Sequence, residues 1–165
     1  MSAKGTRKKL NRTHWLAAIL LIAYSVVLIQ CIVFKAIPTI HIGHRIFRFA
    51  GTHAGPSNLI PFKTIGPELS GRGNRLIAMV NLFGNILPFM PVGLLAPLVF
   101  PSIRWRKALA LGVLTGLTCE GMELVFKVGI FDVDDILLNT LGVVLGYGLF
   151  LLFLIFKRQP ASPRQ

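Results

Sequence analysis

Apolar residues run almost unbroken through four stretches of the chain. No formal charge occurs from Trp15 to Phe34, and further runs extend from about Ile77 to Phe100, Ala108 to Phe126 and Ile136 to Phe156. A hydrocarbon core about 30 Å thick needs roughly 20 helical residues, so each run is long enough to cross it. The pattern predicts an all-α membrane protein: a small bundle of four transmembrane helices over residues 15–156, preceded by a basic segment, 1–14, and followed by a short tail, 157–165.

Composition agrees. Of 165 residues, 53% are hydrophobic and 15% charged, and the mean hydropathy is +0.67. A soluble domain carries about a quarter charged residues, so this surface is built to meet lipid, and disorder is excluded. The start MSAKGTRKKLNRTHW is basic and precedes an apolar run, as in a secretory signal, but the run is too long and has no small-residue cleavage site. In LIQC, Gln30 stands where a lipoprotein cleavage box wants a small residue. Cys31 and Cys119 each fall within a span and imply no disulfide framework.

With four spans, Lys4, Arg7, Lys8, Lys9, Arg12, Arg104, Arg106, Lys107, Lys157, Arg158 and Arg164 share one side. The positive-inside rule makes that side, and both termini, cytoplasmic. The other side holds Lys35, Arg45, Arg48, Lys63, Arg72, Arg75 and Lys127. The net charge of +12 thus flanks the spans, as head groups and topology require, and does not point to nucleic acid. Residues 36–76 form a long outer connection expected to be mostly loop, with IHIGHRIFRFAG lying at the membrane surface. His41, His44 and His53 lie there without nearby cysteine or carboxylate and are read as incidental rather than as metal ligands.

The acids are more informative. The six are Glu68, Glu120, Glu123, Asp132, Asp134 and Asp135, and five of them fall within sixteen residues. A carboxylate inside a span costs on the order of 2.5–3.5 kcal/mol unless it is neutralised, paired or facing water. At about 1.5 Å per residue, Glu120 and Glu123 lie roughly 5–10 Å below the outer end of the third span, Asn81 and Asn85 roughly 6–12 Å down the second, and Asn139 about 5 Å down the fourth. All five share one layer. Asp135 and Asn139 are four apart on one helix face, and Asp132 or Asp134 suits the N-cap of that helix. The expected feature is an outward-opening pocket lined by acids and amides. Its structural alternative is that these groups bond one another and hold the helices together. Charge could be answered by Lys63, Arg72, Arg75, Lys127, a divalent cation or a positively charged ligand group.

Glycines 112 and 116, and 142 and 146, give small-xxx-small faces to the last two spans. Helix packing explains them better than self-association, although a homodimer is the other use of such faces. Pro88, Pro91 and Pro97 remove backbone donors, so the second span should kink or break below Asn85. Irregular backbone of that kind is tolerated where it lines a cavity.

Four ordered motifs resemble VanZ-like membrane proteins: NLIPF at 58–62, NLFGNILPFMPVG at 81–93, the acid pair of the third span, and FDVDDILLNTLGVVLGY at 131–147. The resemblance covers about 58–150. The family pattern commonly has Glu-x-x-Gln where this chain has Glu120 and Glu123. It commonly has an arginine shortly before the aspartate turn, where this chain has Gly129, with Lys127 the nearest cation. The family is named for a protein associated with teicoplanin resistance, and most members have no assigned reaction. The resemblance therefore implies a bacterial cytoplasmic-membrane protein acting at the outer surface, near lipid-linked cell-wall precursors.

The leading expectation is a non-enzymatic envelope protein, in contact with membrane lipids, that binds an amphipathic or lipid-linked ligand. Asn58 and Phe62 would shape the lip, and Asn81, Asn85, Glu120, Glu123, Asp132, Asp134, Asp135 and Asn139 would line the pocket. Two alternatives use the same residues. One is a metal-assisted enzyme acting on a phosphate or pyrophosphate lipid, with Asp132, Asp134, Asp135 and Glu120 as hard ligands for Mg²⁺. The other is a small lipid transporter or flippase whose carboxylates carry protons. No cofactor is expected beyond a divalent cation at the acidic cluster.

Overall fold

A computed structural model describes residues 3–33, 40–42, 45–47, 56–71 and 75–158. Helix α1 spans Ala3–Ile32, and a short antiparallel hairpin follows, β1 (Ile40–Ile42) on β2 (Arg45–Phe47). Then come α2 (Ile65–Leu69), α3 (Arg75–Ile86), a 3-10 turn at Leu87–Phe89, α4 (Met90–Val99), α5 (Trp105–Phe126) and α6 (Val133–Arg158). Four helical stretches are long and apolar enough to cross a membrane: Arg12–Ile32, Ala78–Val99, Trp105–Phe126 and Val133–Lys157. Their outer faces expose Ile19, Leu114, Phe153 and many other large apolar side chains, as lipid contact requires.

Two parts of the outer connection are ordered beyond expectation. The stretch expected to lie on the membrane surface pairs as the β1–β2 hairpin, with His41 opposite Ile46; His44 and His53 lie outside the described residues. Pro67 sits early in α2, where its missing N–H is not needed.

Helix α6 is the centre of the bundle. It packs on α5 across one face and on α3 and α4 across another, while α1 lies against α4. Glycine makes both α6 contacts close. A β-carbon on Gly112 would sit 2.9 Å from Thr140 Cα, and one on Gly116 would sit 3.1 Å from Ile136 Cα. On the other face, β-carbons on Gly142 and Gly146 would collide with the carbonyl oxygens of Ile86 and Met90, and one on Gly93 with that of Val143. Phe89, Val92, Cys119 and Val143 fill the core between these seams with Leu28 and Val33.

The second span breaks where its prolines require. Helix α3 stops at Ile86, and Pro88 and Pro91 start the 3-10 turn and α4. Pro88 contributes a carbonyl at this break, and it accepts a 2.7 Å hydrogen bond from the Tyr24 hydroxyl of α1. Removing that bond with Tyr24→Phe is expected to cost about 1 kcal/mol, seen as a lower Tm in detergent micelles with the helical circular-dichroism signal unchanged.

Candidate functional site

At one end of the bundle the C-terminus of α5 meets the N-termini of α3 and α6. Helix α5 closes in a Schellman turn: Lys127 takes left-handed φ (55°), and the Val128 and Lys127 N–H groups donate to Glu123 O (3.0 Å) and Leu124 O (3.2 Å). Helix α6 then opens on an N-cap made by Asp132, whose Oδ1 accepts the Asp134 N–H at 2.8 Å.

The turn between them holds the 58–65 loop. Asn58 bridges to Asp132 in parallel fashion, its N–H donating to Phe131 O (2.8 Å) and its C=O accepting from Val133 N (3.0 Å). Asn58 Nδ2 donates to Asp132 Oδ1 (2.9 Å) and Thr64 Oγ1 (3.1 Å), and the Thr64 hydroxyl donates to Asp132 Oδ2 (2.7 Å). Asp134 is 0% exposed and takes three backbone donors: Phe62 N (2.6 Å), Thr64 N (2.8 Å) and Ile65 N (3.2 Å). Both oxygens of each aspartate are thus occupied by the loop and the α6 cap. These two acids find partners in backbone N–H groups, amides and a hydroxyl rather than in bases.

The remaining groups lie behind that turn. Asn85 Nδ2 donates to Asp135 Oδ1 (2.7 Å), and Glu120 Oε2 accepts the Asp132 N–H (2.9 Å). Glu120 is buried, within electrostatic range of Asp135, Glu123 and Asp132; Asp135 in turn feels Asp132, Glu123, Asp134 and Glu68. All six acids of the chain therefore belong to one cluster. The charged groups that act most strongly on Glu120 and Asp135 are other acids. Asn139 is buried one turn along α6 from Asp135. By helical rise, Glu120 and Asn139 lie roughly 9 Å in from the ends of their spans and Asn85 roughly 10 Å. Asn81 sits at the rim, exposed, and donates to Glu68 Oε1 (2.7 Å).

Glu68 and Thr64 were absent from the expected site. Glu68 is the one acid outside the 120–135 group, but α2 folds it back over the start of α3. Its signal was scarcity, since a sixth acid in so basic a chain invites the question of where it goes. Thr64 gave no such signal.

Glu123 and Gly129 are neighbours. A β-carbon on Gly129 would collide with Glu123 Oε2, so the extra acid and the missing side chain, the two departures from the VanZ-like pattern, are coupled in space. A larger residue at 129 requires the Glu123 carboxylate to move.

The VanZ/LLP1 family pattern matches residues 21–155. The chain belongs to the VanZ/LLP1 family. It is similar to Protein VanZ of Enterococcus faecium, with 28% identity over 131 residues that cover 79% of this chain and 71% of that protein. No solved structure matches. Family membership and four spanning helices make this a VanZ-like multi-pass envelope membrane protein.

Among the described residues, no three His, Cys, Asp or Glu side chains are grouped so as to hold one metal ion. The aspartates that a Mg²⁺ site would need first, Asp132 and Asp134, are already holding the loop.

Proposed function

We propose that this VanZ-family protein sits in the bacterial cytoplasmic membrane with both termini inside. From the outer leaflet it takes the head group of an amphipathic or lipid-linked ligand into the acid and amide cluster. The observation that carries the reading is the two-faced loop over that cluster. Its backbone is drawn inward by Asp134 and its Asn58 and Thr64 side chains by Asp132, while Leu59, Ile60 and Phe62 stand 69%, 62% and 61% exposed. Apolar side chains fixed outward beside a cluster of polar groups suit a molecule with a tail and a head. The orientation is supported by Arg104, Arg106, Lys107 and Lys157, which flank the spans at the end opposite the acids.

Phe62 strengthens the case. It holds φ at +65°, a conformation that costs a side-chain-bearing residue roughly 1–2 kcal/mol and that glycine would adopt freely. An exposed phenylalanine gains little packing inside the protein to offset that cost, so its ring is kept for something outside. Contact with a ligand near lipid-linked cell-wall precursors would also connect the protein to teicoplanin susceptibility.

Native mass spectrometry of protein extracted from bacterial membranes tests the proposal. The wild type is expected to retain an amphiphile at stoichiometric ratio. Phe62→Gly is expected to lose most of it while its Tm, measured after delipidation, stays equal or rises. Retention by the Phe62→Gly and Asp135→Asn variants at the wild-type level would reject the site.

A further inference from the structure

The head group this cluster can accept is constrained by what the cluster lacks. Among the described residues, two buried side-chain atoms have no hydrogen-bond partner, Asn139 Oδ1 and Glu68 Oε2, and both are acceptors. Asn139 is only 1% exposed, so water does not answer it freely, and an orphaned buried acceptor carries a desolvation cost. Helical Cα–Cβ bonds tilt toward the N-terminus. The Asn139 amide, four residues after Asp135, therefore leans back toward Asp135 and the acids. The missing partner is a hydrogen-bond donor.

Charge narrows it further. The charged groups that act most strongly on Glu120 and Asp135 are acidic, so a positively charged donor is favoured over a hydroxyl. The acceptors come from α2 (Glu68), α5 (Glu120) and α6 (Asp135, Asn139), and they are not grouped tightly enough for three carboxylates to share one metal ion. A group that projects several hydrogens in different directions suits such a spread, and an ammonium carries three. The net charge is +12 even with all six acids counted, so attraction for a cation is confined to this cluster.

We infer that the head group bound here carries a protonated primary amine. This rests on the proposed reading that the cluster receives the head of an amphiphile, and it names the chemistry recognised. The amine can be carried by a lipid head group or by the peptide of a lipid-linked precursor.

The test measures binding to the full chain in nanodiscs by microscale thermophoresis, with two probe pairs. One pair is a short-chain phosphatidylethanolamine and its N-acetyl derivative. The other is an Nα-acetyl-lysyl dipeptide on an undecaprenyl-like tail and its Nε-acetyl form. At least one amine probe is expected to bind tenfold or more tightly than its acetylated partner, and the pair that shows this identifies the carrier. Asp135→Asn and Glu120→Gln are expected to reduce the preference to twofold or less. Asn139→Leu, which removes the orphan acceptor, is expected to keep or raise the Tm and still weaken the preference at least threefold. Equal binding of amine and acetylated probes, or a preference unchanged in all three variants, overturns the inference. If the protein retains an amphiphile under those outcomes, the proposed function survives without it; if it retains none, both fall.

Discussion

Replacing Asp134 by alanine is expected to release the 58–65 loop and to destabilise the fold more than any other acid substitution. The carboxylate is fully buried and collects three backbone N–H groups, from Phe62, Thr64 and Ile65. Each orphaned buried donor costs about 1–3 kcal/mol, and water recovers part of this as the loop lifts, so a loss on the order of 3–5 kcal/mol is expected. The Tm in detergent should fall sharply, and tryptic cleavage after Lys63 should accelerate. Asp134→Asn retains one acceptor oxygen but turns an amide N–H₂ toward backbone donors, so it should lie between alanine and wild type. The neighbouring Asp135→Asn should behave differently. An asparagine carbonyl can still accept the Asn85 amide that now reaches Asp135 at 2.7 Å, so stability should change little. Comparable losses at 134 and 135 would show that the loop is held by something other than the Asp134 bonds.

That contrast between adjacent aspartates marks what sequence can convey. The four spans were legible because a bilayer imposes a length of apolar residues that few other constraints mimic. The break near Pro88 was legible because proline removes a donor wherever it sits. Helical rise places Asn81, Asn85, Glu120, Glu123 and Asn139 in one layer once the spans are set, whereas Asn81 stands exposed at the rim. The division of labour among the acids was not legible, because the partners of Asp134 are main-chain N–H groups some 70 residues away. Backbone donors are the same at every residue and leave no trace in composition. Looking to Lys63, Arg72, Arg75, Lys127, a divalent cation or a ligand to answer the acids overlooks that source of partners. For the same reason Thr64, which both donates and accepts in the loop clamp, was invisible among ordinary loop residues. The ordered hairpin and α2 lay in a stretch whose glycines and prolines announce loops, yet Pro67 is compatible with a helix start.

The small-residue faces were only half legible, and the missing half yields the second large effect. Spacing exposed glycines 112, 116, 142 and 146, but not that the two pairs seat α6 from opposite sides, nor that Gly93 belongs with the second pair. Gly93 and Gly146 face backbone carbonyls, of Val143 and Met90. A carbonyl cannot rotate aside as a flexible side chain can, so the helices themselves must separate. Gly146→Ala is expected to cost about 1–3 kcal/mol, the usual range for overpacking. Because the two glycines serve one crossing, the Gly93→Ala, Gly146→Ala double variant should cost less than the sum of the singles, once the first has parted the helices. Gly121 and Gly148 supply the control: they lie in α5 and α6, and a β-carbon on either meets nothing within 4 Å. Their alanine variants should be neutral or stabilising by roughly 0.5–1 kcal/mol, the helical preference of alanine over glycine. Thermal unfolding of the four single variants and the double variant in one detergent checks the ranking. A fall in Tm for Gly121→Ala as large as that for Gly146→Ala would mean that the lipid-facing glycines also meet a partner, as the interface of a homodimer would require.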